Sequence, residues 1–170
     1  MPEKYSQEYL NEPIDDTNAY FRGEDFLPMS EDDFKKPKVM YMAVDFAISE
    51  TDRADYTVLV CGGVVDTGIL HIVDVIRARM DGKEIVDALF AMAQRYQPEI
   101  ITLESGAIEK ALGPFIRAEM FLPGKPFLPL NPMVPTKDKT FRATSIQARM
   151  RAGGVKFNKD TDWYLIWKQR

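Results

Sequence analysis

Apolar positions between residues 38 and 77 fall into three runs of strand length. Val39–Val44 ends at Asp45, Tyr56–Val65 is rich in β-branched residues, and Ile69–Arg77 follows the turn at Asp66–Gly68. Short connections are typical of neighbouring antiparallel strands. The pattern therefore predicts a three-stranded antiparallel meander.

Helical spacing of apolar residues begins after the meander and alternates with short strands. The predicted helices cover residues 82–96, with Asp81 as a cap, 107–120 and 138–151. The predicted strands that follow them cover residues 99–103 and 127–130, and residues 153–157 are a turn into one last strand. The order β-β-β-α-β-α-β-α-β predicts an α/β fold with a mixed sheet and helices on both faces. This order resembles the RNase H-like fold.

Residues 1–37 differ from the rest of the chain in pattern and charge. They are punctuated by prolines, show no sustained period, and hold four basic and ten acidic residues, a balance of −6. The remaining residues, 38–170, balance at +2, and Lys125–Lys159 holds eight basic residues against one acid. We therefore predict an acidic linker arm at 1–37 before one domain at 38–170, and read Asp15, Asp16, Asp32 and Asp33 as solvated charge.

The composition excludes several kinds of chemistry. One cysteine, Cys61, rules out an internal disulfide framework and a cysteine-rich zinc site. One histidine, His71, disfavours a Ser-His-Asp or Cys-His triad because it falls in a strand-like run. The chain has no phosphate-loop motif and no apolar run of membrane-spanning length. Enzymatic chemistry would then come from carboxylates, with a metal.

Two acids stand at the ends of otherwise apolar strands, Asp45 after the first and Glu104 after the fourth. If those strands are adjacent, the two carboxylates emerge close together and repel each other unless cations lie between them. Mg²⁺ prefers oxygen ligands, and a pair of such ions can promote phosphodiester hydrolysis. The alternative, in which each acid only marks a strand end or caps the next helix, stays open. Of two further acids, Asp55 fits a nearby carboxylate or a turn. Asp74 could face the same cleft, but strand alternation fits a solvent face better.

The predicted helix at 138–151 and the residue before it are basic. This excess of positive charge favours a polyanion partner over a merely solvated face. The basic residues are Lys137, Lys139, Arg142, Arg149 and Arg151. Nothing in the sequence resembles base-specific recognition, so binding should follow the nucleic-acid backbone and shape.

Three short sequence stretches, spaced along nearly the whole chain, are informative in combination. The first is Tyr9–Asp15 (YLNEPID), and the second combines Ala43–Ala47 (AVDFA) with Asp55–Thr57 (DYT). The third is Lys-Asp-Lys at 137–139 with Arg-Ala at 142–143, then Arg149, Gly154, Val155, Phe157 and Trp163. Together they resemble the C-terminal nuclease domain of the large terminase subunit of tailed bacteriophages. Phe46 departs from the proline usual in that family.

The resemblance implies an RNase H-like endonuclease that cuts concatemeric viral DNA with two metal ions, Mg²⁺ or Mn²⁺. By position, Asp45 and Glu104 would bind metal and Asp55 would join the catalytic set. The residues expected to contact DNA are Lys137, Lys139, Arg142 and Arg149. Implied partners are double-stranded DNA, the terminase ATPase domain, the small subunit and the portal, without a membrane. The implied location is the cytoplasm of the infected host, not the mature virion.

The resemblance also implies a third catalytic acid in an Asp-Asp pair downstream of Trp163. Residues 164–170 contain no such pair, and Asp160 and Asp162 precede the tryptophan. We therefore expect a C-terminally incomplete domain with weak or absent activity on its own, and an arm that is only partly ordered without its ATPase half. Two alternatives are another RNase H-like nuclease, such as a transposase or resolvase core, and a DNA- or partner-binding fragment without catalysis.

Overall fold

A computed structural model describes residues 20–47 and 56–168 of the chain. The Tyr9–Asp15 stretch, the acids Asp15 and Asp16, and Asp55 lie outside the described residues. None of the helices in the described ranges combines the length and apolarity needed to cross a membrane.

Seven strands form one mixed sheet in the order β1-β7-β4-β3-β2-β5-β6. Their bounds are β1 Leu27–Pro28, β2 Val39–Asp45, β3 Thr57–Val64, β4 Leu70–Ala78, β5 Ile100–Glu104, β6 Leu130–Met133 and β7 Val155–Phe157. The antiparallel pairing of β2 with β3 and of β3 with β4 confirms the predicted meander. Strand β5 pairs parallel to β2, so the first and fourth predicted strands are adjacent. The α/β, RNase H-like architecture is confirmed.

Four helices connect strands and a fifth follows the last strand. Their bounds are α1 Glu31–Lys35, α2 Gly82–Tyr96, α3 Ala107–Met120, α4 Lys139–Arg151 and α5 Asp162–Lys168, with a short 3₁₀ helix at Gly23–Asp25. Helices α1, α2 and α4 begin at side-chain caps that the sequence supplies. Asp81 accepts a hydrogen bond from the Glu84 amide at 2.9 Å at the start of α2. Asp138 accepts one from the Phe141 amide at 2.7 Å at the start of α4. These bonds satisfy amides that the helix itself leaves unpaired.

Two apolar clusters lie on opposite faces of the sheet. The larger joins α2 and α3 to one face and includes Leu59 and Cys61, both fully buried. The smaller joins α4 and α5 to the other face at the β4–β7 end, with Leu70 and Ile72 packed against it. A Cβ at Gly62 would meet those two side chains, which places them opposite the neighbouring Cys61. Helices therefore cover both faces, as predicted, and the β2–β5 part of the second face stays open.

The aromatic pair Trp163 and Trp167 belongs to the smaller cluster. Their ring centroids are 5.5 Å apart on α5, beside the buried Tyr164. The pair therefore contributes to packing.

The sixth strand lies three residues later than predicted. The Ile101 amide donates to the Pro129 carbonyl at 2.9 Å, and the Ser105 amide donates to the Met133 carbonyl at 2.8 Å. Pairing with β5, rather than the apolar run at 127–130, therefore sets the strand at Leu130–Met133. Because β6 is an edge strand, Pro132 is tolerated within it.

Part of the segment assigned to the arm contributes to the sheet. Leu27 and Pro28 pair parallel with β7, and the next residue, Met29, is buried. The prediction that Asp33 is solvated is wrong, because only 1% of its side chain is exposed. Asp33 accepts hydrogen bonds from Lys156 at 2.7 Å and from Lys36 at 2.9 Å. These bonds join α1 to β7 and explain the burial of the charge.

Candidate functional site

Asp45 and Glu104 come together at the ends of two adjacent parallel strands. The last paired residues of β2 and β5 are Val44 and Leu103, and the two acids occupy the next position on each strand. Because Val44 and Leu103 are buried in the larger cluster, the acids lie on the open face. The strand spacing puts the two Cα atoms about 5 Å apart. The predicted adjacency of the two carboxylates is therefore present.

The two acids line a cleft of about 510 Å³ on the open face. Ala43 and Thr102, two residues before the acids on β2 and β5, line the same cleft. Val58 and Val60 line it from β3. The opposite wall is formed by residues 133–136 and by Arg142. The lining is mostly apolar, with Thr102 and Thr136 as its uncharged polar residues, and its charged side chains are those of the two acids and the arginine.

Arg142 provides the basic side chain of this site. It lies one turn into α4, whose start is fixed by the Asp138 cap, and its Nη2 atom is 3.6 Å from Oε2 of Glu104. About two fifths of each side chain is exposed. A pair this exposed is weakly held, so a stronger cation can displace the guanidinium.

The donor set fits a hard divalent cation. Asp45 and Glu104 supply oxygen ligands, and Mg²⁺ is commonly held by one or two carboxylates with waters and substrate phosphates completing the shell. No group of three His, Cys, Asp or Glu residues within residues 20–47 and 56–168 could hold a metal. The expected roles of Asp55 and of a third acid therefore stay predictions.

The other basic residues predicted to contact DNA differ in position. Lys137 lies just before α4, and its Nζ atom is 3.9 Å from the ring centroid of Phe141, which is in the first turn of that helix. Lys139 is the first residue of α4. Arg149 is two turns beyond Arg142, and its guanidinium donates to the Gly68 carbonyl. That bond holds the end of α4 against the β3–β4 turn, so Arg149 has a structural contact away from the cleft.

A row of residues that the sequence analysis did not single out crosses the open face beside the acids. Asp45 pairs with Val58, and Val58 pairs with Arg77 on β4. The guanidinium of Arg77 stacks on the ring of Tyr56 at 3.6 Å. The alternation of the meander, counted across all three strands, would have placed Arg77 on this face.

Asp74 lies on the other face, and its predicted exposure to solvent is wrong. The Tyr96 hydroxyl of α2 donates to Asp74 at 2.8 Å, and burial together with that bond raises the pKa of Tyr96. The paired residue on β3 is Cys61, whose thiol pKa burial raises to about 12. Cys61 is thus a core residue.

His71 is a buried strand residue, as expected, and lies apart from the cleft. Its Nε2 atom is 3.8 Å from Oδ1 of Asp33, and neither ring nitrogen has a hydrogen-bond partner among the described residues. Burial lowers the pKa of His71, and nearby Lys38 acts in the same direction. No side chain of this group lines the cleft.

Comparison with known proteins gives matches by structure alone. No protein-family model matches the chain, and no curated protein matches its sequence. The large terminase nuclease of thermophilic phage G20c matches with a TM-score of 0.59 and 16% identity in its zinc-bound form, over 90% of this chain and 88% of that one. Its magnesium-bound form matches with a TM-score of 0.57 and 17% identity, over 84% and 75%.

The large terminase of a second thermophilic bacteriophage matches with a TM-score of 0.59 and 10% identity. This chain has the fold of the large terminase nucleases. The match covers 88% of this chain and 36% of that larger protein.

Proposed function

We propose that the chain is the metal-dependent DNA endonuclease domain of a phage DNA-packaging terminase, cutting concatemeric viral DNA. The observation that carries the proposal is the placement of Asp45 and Glu104 at adjacent strand ends in one open cleft. The G20c nuclease structures with bound magnesium, zinc or cobalt support a divalent cation here. We favour Mg²⁺ or Mn²⁺, because both carboxylates are hard oxygen donors.

In this proposal the protein supplies position and charge. Asp45 and Glu104 would hold a divalent cation, and a pair of such ions supplies an activated water and stabilises the leaving oxygen of a phosphodiester. Arg142, which balances Glu104 at 3.6 Å, would turn to a phosphate of the bound DNA when a cation occupies the carboxylates.

The DNA would be recognised by its backbone. The cleft offers one arginine and a mostly apolar lining, with few groups that could read base edges. Lys137 and Lys139, at the start of α4, would add phosphate contacts beside Arg142. We place this chain with a terminase ATPase domain, a small subunit and a portal in the cytoplasm of an infected bacterium, with the residues before β1 as the linker.

Cleavage of supercoiled plasmid by the 170-residue chain tests the proposed activity. We expect slow nicking with Mn²⁺, blocked by a chelator and reduced about 100-fold or more in Asp45→Asn and Glu104→Gln, since a charged group at the reacting centre is removed. Asp74→Asn is the matched control, because that carboxylate is on the other face of the sheet. Wild-type cleavage no faster than that of Asp45→Asn would contradict the proposal.

A further inference from the structure

Asp45, Val58 and Arg77 form one row across three neighbouring strands. Each is the register partner of the next, so all three side chains lie on the open face of the sheet. Two strand spacings separate the ends of the row, which places the Cα atoms of Asp45 and Arg77 about 10 Å apart. A cationic side chain thus flanks the carboxylate pair on the side away from Arg142.

The guanidinium of Arg77 is oriented by an aromatic ring. It lies 3.6 Å from the ring centroid of Tyr56, and that of Arg79 lies 5.0 Å from the same centroid. No carboxylate among the described residues forms an ion pair with Arg77, which is exposed. Stacking on a ring uses the face of the guanidinium and leaves its N–H donors at the edge available for a phosphate.

Arg77 and the Arg142–Glu104 pair lie on opposite sides of Asp45. Arg142 contacts Glu104 on β5, and Arg77 lies on β4, three strand spacings or about 14 Å away. One DNA strand places a phosphate about every 3.4 Å of helix axis, so successive phosphates of one strand can reach both positions. The carboxylate pair lies between the two cations.

We propose that Arg77, with Arg79 and Tyr56, forms a second phosphate-binding surface that holds the DNA strand beyond the scissile position. The inference rests on the proposed function for the identity of the polyanion. It assigns β4 a role in DNA binding, in addition to α4. The strand to be cut would then be held on both sides of Asp45 and Glu104.

The test is the salt dependence of DNA binding by the full chain. Fluorescence anisotropy with a labelled duplex measures the dissociation constant at KCl concentrations from about 0.05 to 0.5 M. A chelator in the buffer prevents cleavage during the measurement. Each phosphate contact contributes about 0.9 to the slope of log K against log salt. Arg77→Gln should lower the slope by about 0.9 and weaken binding about eightfold at about 0.1 M salt.

Arg95→Gln is the matched control for this experiment. Arg95 also stacks on a tyrosine, at 5.2 Å from the centroid of Tyr96, but it lies on α2 on the opposite side of the sheet. It should leave the slope unchanged, and Arg77→Lys should restore most of the slope. Circular dichroism melts of each variant establish that the fold is retained.

The possible outcomes separate this surface from the nuclease activity. An Arg77→Gln slope equal to that of wild type, or a wild-type chain that does not bind duplex DNA, overturns the surface. A slope that is reduced in Arg77→Gln but not in Arg95→Gln supports the second surface, even if plasmid is not cleaved. Plasmid cleavage with an unchanged Arg77→Gln slope leaves the nuclease proposal standing and removes the second surface.

Discussion

Nη2 of Arg142 lies 3.6 Å from Oε2 of Glu104, so the carboxylate expected to bind metal has a guanidinium partner. Both side chains are about two fifths exposed, which limits the strength of the pair to about 1 kcal/mol or less. The guanidinium and a divalent cation would compete for the same oxygen. Arg142 would then have two partners, Glu104 in the metal-free protein and a phosphate in the complex.

Replacing Arg142 should therefore separate metal affinity from DNA affinity. We expect Arg142→Gln to bind Mn²⁺ up to about fivefold more tightly, because the competing cation is gone, and to bind duplex DNA more weakly. Calorimetric titration with Mn²⁺ and anisotropy with DNA measure the two effects. Arg149→Gln is the control, since that guanidinium contacts the Gly68 carbonyl. Metal affinity that falls in Arg142→Gln would show that the guanidinium does not compete.

The buried Asp33 should contribute substantially to stability. Hydrogen bonds from Lys156, Ser30 and Lys36 hold the pKa of Asp33 well below its ordinary value. Asp33→Asn should lower the free energy of unfolding by about 2–3 kcal/mol, the scale of hydrogen bonds to a charged group. Denaturant titration checks this against Asp32→Asn, whose side chain is 89% exposed and which should change stability by less than about 0.5 kcal/mol. Equal effects of the two variants would contradict the assigned role.

His71 should make the folded state sensitive to mildly acidic pH. Burial first, and nearby Lys38, Lys156 and Lys36, lower its pKa from 6.5, while Asp33 acts in the opposite direction. Below about pH 6.5 the unfolded chain binds a proton that the folded chain does not, so stability falls as the pH drops. The slope can reach about 1.4 kcal/mol per pH unit until the folded-state pKa is reached.

The variant His71→Gln should flatten this part of the stability curve, because glutamine does not titrate. Unfolding free energies measured in denaturant at about pH 7, 6 and 5 give the comparison. A wild-type curve as flat as that of His71→Gln over this interval would rule out the histidine as the source.

Cys61 should be chemically silent in the folded protein. Its side chain is fully buried, and burial raises the thiol pKa to about 12, so almost no thiolate forms at about pH 8. We expect negligible reaction with a thiol reagent in native buffer and one thiol per chain in concentrated guanidinium chloride. Rapid labelling of the native protein at the unfolded rate would show that the sheet opens locally at β3.

Strands with long apolar runs that end at a polar residue could be predicted from the sequence. Strands that form only because they pair with a distant strand could not. Val39–Val44 is unbroken and stops at Asp45, so both the strand and the site acid were predictable. Leu27 and Pro28 show no strand pattern and form β1 only because β7 lies beside them. Asp33 resembles surface charge in sequence, and its burial depends on Lys156, which is 123 residues away.

The two acids of the site could be predicted from the strands that they end, but the arginines around them could not. Asp45 and Glu104 each end an apolar strand, and a single adjacency brings them together. Arg142 belongs to a basic helix, but nothing local indicates that it, and not Arg149, contacts a site carboxylate. Arg77 is visible only when register is counted across β2, β3 and β4.

Calorimetric titration with Mn²⁺ tests the central claim, that Asp45 and Glu104 form a divalent-cation site. We predict saturable Mn²⁺ binding by the wild-type chain, lost or weakened about 100-fold in both Asp45→Asn and Glu104→Gln. Asp74→Asn, which changes a carboxylate on the opposite face, should bind Mn²⁺ as wild type does. Absence of Mn²⁺ binding by the wild type, or equal affinity in Asp45→Asn, would contradict the claim.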